Sequence, residues 1–338
     1  MSKNKPTILD IETLSGFSKS TISKVIRKEP FVKKTTRDKI LKIIKEVGYQ
    51  PDEIARSLVQ KKAMNFVGIV VSDISNPFFS EIVLSITEEV KKHNCEVILC
   101  NTNYSVEEEK RYIDILLRNR ALGIMLATPT IDDKNLFILV EKKYPFVLIT
   151  REVKKVKSNV VTVDHFKSAK MAVNYLVDKG HKKIAHFTGH EKISGVISRM
   201  KGYEEALMEN SLEVEDKMIF YHGISSFKAG YKAAEELINT KVRATAIFAS
   251  DDLVAIGAMD FFKEKNIKVP EDISIMGYDN IEMSSLNLIN LTTIDQPKTK
   301  IGKLSTEVLF KQLEDNKLEP KKYIIDSKII ERGSVIKI

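Results

Sequence analysis

The stretch TILDIETLSGFSKSTISKVI, residues 7–26, reads as two short helices separated by a break. Thr7 is a good N-cap, and Asp10 three residues on complements the free amides and the positive end of the first turn. Ile8, Ile11 and Leu14 recur at helical spacing. Ser15-Gly16-Phe17 interrupts the pattern, and Ser18 can cap a second helix running to about Ile26. That second helix buries Ile22 and Val25 and presents Lys19, Ser20, Ser23 and Lys24. Two short helices across a three-residue, glycine-containing turn form a helix-turn-helix. A third helix is predicted over 35–47, with Ile40, Leu41, Ile43, Ile44 and Val47 apolar and Gly48 as its C-terminal stop.

Three short helices can be no more than a structural bundle. The second helix argues for DNA recognition instead, because it is small, polar and basic where a core helix would be large and apolar. Such a helix fits the major groove, about 12 Å wide, with hydroxyl and amine groups facing base edges. Charge points the same way. Residues 1–64 hold 15 Lys/Arg against 7 Asp/Glu, a net of +8, and the rest of the chain holds 39 of each. A basic head on a neutral body is the pattern of a polyanion-binding module joined to a sensing or catalytic one; the alternative is a solvated lysine-rich surface.

At 338 residues, 43% hydrophobic and 30% charged, the chain predicts a globular protein of two or three domains. No secretory leader and no window of ~18 apolar residues is present, so a cytoplasmic location without a membrane partner is expected. Cys95 and Cys100 alone, with six scattered histidines, give no metal-ligand spacing, and no cofactor is expected. An enzyme reading finds little. There is no GxGxxG after the first strand, no GxxxxGK[ST] and no GxSxG, and Asp251-Asp252 at a strand end reads as a helix cap.

From Phe66 onward, short apolar runs alternate with amphipathic helices. Strands are predicted over 66–71, 97–101, 123–127, 146–150 and 160–163, and again over 184–188, 218–221, 246–249 and 274–277. Helices are predicted over 78–93, 107–119, 168–179, 200–210, 227–239 and 252–265. Strand–helix alternation repeated twice indicates two doubly wound α/β subdomains, with any ligand in the cleft beyond the strands' carboxyl ends.

Several segments together resemble one family, that of the lactose repressor (LacI/GalR). They are the opening residues 7–26, Thr36-Arg37, Gly48-Tyr49-Gln50-Pro51 and Ile54-Ala55-Arg56-Ser57-Leu58. In the body they are VSDISNPFF, LVDKGHKKI, RMKGY, FASDDLVAIG, IMGYDN and LTTIDQP. The resemblance implies an N-terminal all-α helix-turn-helix domain (1–50), a hinge helix and linker (51–64) and an α/β periplasmic-binding-protein-like core (65–338). The two doubly wound subdomains of that core would comprise about 65–162 with 294–322, and 163–293 with 323–338. Such proteins bind pseudopalindromic operators as dimers. Lys19 and Ser20 would read bases, and Thr21, Ser23 and Lys24 would sit against phosphates or base edges, with Thr7, Arg27 and Ala55 also at the DNA. Leu58 would wedge into the minor groove. This chain departs from the pattern at Glu12, Lys24, Arg27 and Asp52, which bears on operator sequence and affinity.

For the core, the resemblance implies an effector cleft containing Phe78, Phe79, Arg199, Asp251, Asp279 and Gln296, with Arg151 as a further lining residue. These types suit a sugar or sugar derivative: arginine is a forked donor, aspartates accept from paired hydroxyls, and an aromatic stacks on a sugar face. Both arginines together would favour an acidic or phosphorylated sugar. Ile82, Ile86, Val90 and Leu84 are candidates for a dimer interface, although some must face their own sheet, and no heptad tail follows the last strand, so a homodimer is expected. The function implied is a ligand-responsive transcriptional repressor of carbohydrate-use genes. The rival is a cytosolic sugar-binding or metabolic protein with an incidental basic module.

Overall fold

The computed structural model describes residues 6–26, 29, 31–49, 65–128, 130–240, 242–315 and 317–338, in two compact units divided after Met64. Arg27 and the expected hinge segment, with Ala55 and Leu58, lie outside the described residues.

The first unit holds α1 (Ile8–Ser15), α2 (Lys19–Ile26) and α3 (Lys34–Val47). The amide and hydroxyl of Thr7 both donate to Asp10 Oδ2, at 2.7 and 2.8 Å, which fixes the start of α1. Gly16 ends it at φ +72°, a left-handed turn that glycine adopts without strain. Ile11, Ile22, Val25 and Ile40 form the core, with Ile8, Phe17, Ile43 and Ile44 packed around them. Two members of the expected apolar stripes do not join it. Leu14 and Leu41 are exposed, and Ser15, one turn beyond Ile11, takes the inward position at the end of α1.

The second unit contains two six-stranded sheets. The first is built from β1 (Phe66–Val71), β2 (Glu96–Asn101), β3 (Ile124–Ala127), β4 (Phe146–Ile149), β5 (Asn159–Val163) and β11 (Lys322–Ile325). Its order is β11-β5-β4-β3-β1-β2, all parallel. The second uses β6 (Ile184–Gly189), β7 (Ile219–Gly223), β8 (Ala246–Ala249), β9 (Ser274–Asp279), β10 (Thr292–Asp295) and β12 (Lys328–Ile330). Its order is β12-β10-β9-β8-β6-β7, with only the β10–β12 pair antiparallel.

The first lobe carries α4 (Pro77–Lys91), α5 (Val106–Arg118), α6 (Phe137–Glu141) and α11 (Lys298–Glu314). The second carries α7 (His165–Asp178), α8 (Ser194–Glu209), α9 (Phe227–Asn239) and α10 (Asp252–Glu264). Helices on both faces of nearly parallel sheets bury strands on both sides, which is why β1, β3, β4, β6, β8 and β9 are buried at every position. Cys95 and Cys100 are buried free thiols, and burial pushes Cys100 up to about 11.

The chain crosses between lobes three times: between β5 and α7, between β10 and α11, and between β11 and β12. The last two differ from the expected 293 and 323. β10 completes the second sheet through Asp295, and β11 pairs with β5 in the first sheet through Ile325, so each crossing falls about three residues later. Helix starts also differ. Asp164 caps α7 through Lys167 N at 3.0 Å, three residues before the expected start. α8 begins six residues early, at Ser194, in a stretch with little apolar periodicity. α11 was absent from the predicted helices; its lysine-rich sequence conceals Ile301, Val308 and Leu309, which pack against α4 and the first sheet.

Candidate functional site

In the first unit, Lys19, Ser20 and Lys24 are exposed on α2, while Thr21 and Ser23 are half-buried on the same helix. Thr7 is exposed at the start of α1 with its hydroxyl committed to Asp10. Glu12 has a structural role that the sequence reading missed: its carboxylate accepts from the backbone amide of Lys19 at 3.0 Å and so caps α2. A negative charge near the exposed face is thus tied to the geometry that holds that face out.

In the second unit, a cavity of about 240 Å³ lies between the lobes, and Phe78, Phe79, Arg151, Arg199, Asp251, Asp279 and Gln296 all line it. Nearly every lining residue sits just past the carboxyl end of a strand. Asn76 and the phenylalanines follow β1, Tyr104 follows β2, Thr150 and Arg151 follow β4, and His165 follows β5. His222 and Asp279 are the last or nearly last residues of β7 and β9, Ser250 and Asp251 follow β8, and Gln296 follows β10. Parallel strands end together, so their loops converge there.

Asn76 Oδ1 accepts from Phe78 N at 3.0 Å, and Pro77 supplies the first helical position of α4. The two rings form an edge-on pair 5.3 Å apart, serving core and cavity at once. The Arg151 guanidinium lies 5.8 Å from the Phe79 ring centre, and burial pulls its pKa down to about 10. Arg199 lies 4.7 Å from the centre of the Tyr278 ring, and its Nη1 is 3.3 Å from His165 Nδ1. An arginine can only donate, so that nitrogen accepts. Burial, then Arg199 and Arg151, hold His165 neutral, well below the ordinary histidine range.

Asp251 caps α10 by accepting from Val254 N at 3.0 Å, and its other oxygen accepts from Ser250 Oγ at 3.0 Å. Asp279 accepts from Gln296 Nε2 at 2.6 Å. Burial first, then Asp251 and Asp252, push Asp279 well above the usual carboxylate range. Asp252 turns away from the cavity; it accepts from Ser284, Thr293 and the Ile281 amide, locking α10 to the loop beyond β9 and to β10. Lys298 joins the lobes, donating to the Asp279 and Asn280 carbonyls at 2.9 and 2.5 Å and lying 3.5 Å from Glu81 on α4.

Sequence reasoning missed Tyr104, Glu109, Asp133, Thr150, His165 and His222, all of which line the cavity. Their signal was available: Tyr104, Thr150, His165 and His222 all fall within three residues of a predicted strand end. Tyr104, at φ +62°, and Thr150, at φ +54°, occupy backbone conformations uncommon for their types, a sign of constraint at a binding site. Burial and Asp133 push Glu109 up to about 8.

Comparison with known proteins agrees with both halves of this description. The family described as bacterial regulatory proteins, lacI family, matches residues 7–52, and the periplasmic binding proteins and sugar binding domain of LacI family matches residues 64–332. The HTH-type transcriptional repressor PurR of Vibrio atlanticus (strain LGP32) is 32% identical over 330 residues, 97% of this chain and 98% of that protein. A LacI family transcriptional regulator from Enterococcus faecium, solved with bound ribose, is 27% identical with a TM-score of 0.73. It covers 81% of this chain and 100% of its own. The lac repressor dimer bound to operator and the anti-inducer ONPF shares the fold, with a TM-score of 0.77 at 24% identity over 98% of this chain and 100% of that one. With a helix-turn-helix unit followed by a two-lobed α/β unit, each where its family match falls, this chain belongs to the LacI family of bacterial regulatory proteins.

Proposed function

We propose that the protein is a ligand-responsive, sequence-specific repressor of carbohydrate-utilisation genes. It acts in the cytoplasm as a homodimer on a pseudopalindromic operator, and it is not an enzyme. The observation that carries this reading is the cavity between the lobes, where forked donors, carboxyl acceptors and aromatic rings converge as a polyol requires. The exposed Lys19, Ser20 and Lys24 on α2 support a groove-reading role, with Thr21 and Ser23 beside them. The PurR-type relatives and the ribose-bound neighbour support repression and a sugar effector.

Of the four candidates for the dimer interface, Ile82, Ile86 and Val90 face their own core and offer no surface to a partner. Leu84 is 64% exposed on α4, beside the edge strand β2 with exposed Ile98 and Leu99, and is the remaining candidate.

The effector acts through its differential affinity for the open and closed lobes, and residues 51–59 carry that difference to the DNA. Selection of genomic fragments by the purified protein, followed by footprinting, should enrich one pseudopalindrome. Specific binding should then weaken steeply with salt, log K falling by roughly 0.9 per phosphate contact against log salt. A flat dependence with no enriched site would favour the rival, a sugar-binding protein with an incidental basic module. Leu58→Ala should weaken specific binding more than non-specific binding; equal loss removes the wedge role.

A further inference from the structure

We propose that the effector is a monosaccharide-sized polyol bearing one anionic group, a carboxylate or a phosphate, and that Thr150 sets this preference. The inference rests on the sugar-cleft reading above and narrows it. Arg151 and Arg199 are each 8% exposed, and among the described residues neither guanidinium has a carboxylate within 4.0 Å. The Nε of each has no hydrogen-bond partner. Their polar neighbours are neutral: the Thr150 carbonyl at 3.5 Å from Arg151 Nη1, and His165 Nδ1.

The carboxyls of the same cavity are otherwise engaged. Asp251 is held by the Val254 amide and Ser250, and Asp279 is held by Gln296 and pushed toward its protonated form. Glu109, beside Asp133, is pushed up to about 8 and so keeps its own proton at neutral pH. Asp279 acts on both guanidinium groups only through space, and two buried cations with no carboxylate in direct contact are costly; an oxyanion from the ligand answers both with charge-assisted, forked hydrogen bonds.

Thr150 stands immediately before Arg151 and presents a hydroxyl where an aspartate would bring a carboxylate to the guanidinium, while Glu152 on the other side pairs with Lys322. Thr150 is 2% exposed, its hydroxyl has no partner, and its φ of +54° is an uncommon one for a β-branched residue. Aspartate enters that conformation more readily, so Thr150→Asp changes the charge of the cleft without adding backbone strain.

The test is calorimetry and thermal shift on the full-length protein with matched pairs: glucose and glucuronate, galactose and galacturonate, glucose and glucose 6-phosphate, ribose and ribose 5-phosphate. The acidic member of at least one pair should bind more tightly, and the pair that responds identifies carboxylate or phosphate as the group. Thr150→Asp should lower the acid-to-neutral affinity ratio by about tenfold or more, as should Arg151→Gln, the scale expected for losing a charge-assisted pair. A merely structural role would lower both affinities equally and leave the ratio unchanged, which overturns the proposal. Neutral sugars binding as well as or better than their acids in every pair also overturns it, while the sugar reading stands. Binding by no member of any pair overturns both, and operator selection measured separately then decides whether the regulator reading survives.

Discussion

Glu109 shows how one side chain turns burial into pH dependence. Its folded pKa of about 8 lies above the ordinary 4.5, so the folded protein keeps a proton that the unfolded chain releases. That stabilising contribution is complete below about pH 4.5 and is lost as pH rises through 8. Melting temperature should therefore decline from pH 7 to 9 in the wild type and decline less in Glu109→Gln; parallel curves would refute the assignment. Glu12 makes the opposite kind of case, a surface charge with a structural duty. Glu12→Ala should destabilise the first unit by about 1 kcal/mol, the usual cost of losing a cap, even as it removes a negative charge beside the exposed face of α2. Denaturant melts of the full chain should resolve that transition.

At the level of elements, α9 and α10 meet with backbone almost touching backbone. A Cβ on Gly230 would lie 1.9 Å from the Val254 carbonyl oxygen, and one on Gly257 would lie 2.0 Å from the Phe227 carbonyl oxygen. The two glycines are reciprocal, each making room for the other helix. Gly230→Ala should cost about 1–3 kcal/mol through overpacking, because neither carbonyl can swing aside without breaking its own helix. Urea unfolding of the variant should show the lower midpoint; an unchanged midpoint would mean that the helices can separate freely. This contact also explains why α9 and α10 are read well from sequence. Their apolar faces are continuous, and Ser226 and Asp251 cap them through the amides of Ala229 and Val254.

For the whole molecule, assembly and acid stability are the properties to measure. On the proposed homodimer, with Leu84 at its interface, Leu84→Lys should shift the protein to monomer in sedimentation velocity and weaken binding to the selected operator, because a charge in an apolar interface must be desolvated. Retention of the dimer would place the interface elsewhere. In acid, His165 and His186 oppose Glu109. Burial holds both neutral, His186 at about 3, so the stability they contribute is full above about 6.5 and is lost as pH falls below it, toward 3 for His186.

Much of this was legible in the chain itself. Periodicity and caps located the three N-terminal helices and most strands of the core, and resemblance carried seven lining residues to their positions, because these signals are local and repeat at fixed spacing. Only the tertiary structure decided the rest. It showed that Leu14 and Leu41 are left outside their small core and that Ile82, Ile86 and Val90 are spent on their own sheet. It paired β11 with β5, and so moved the last crossing to follow Ile325. It also gathered Tyr104, His165 and His222 around two buried arginines. Those facts depend on which distant segments meet: a strand's sheet is set by its partner, and a buried charge is defined by what lies across the cavity.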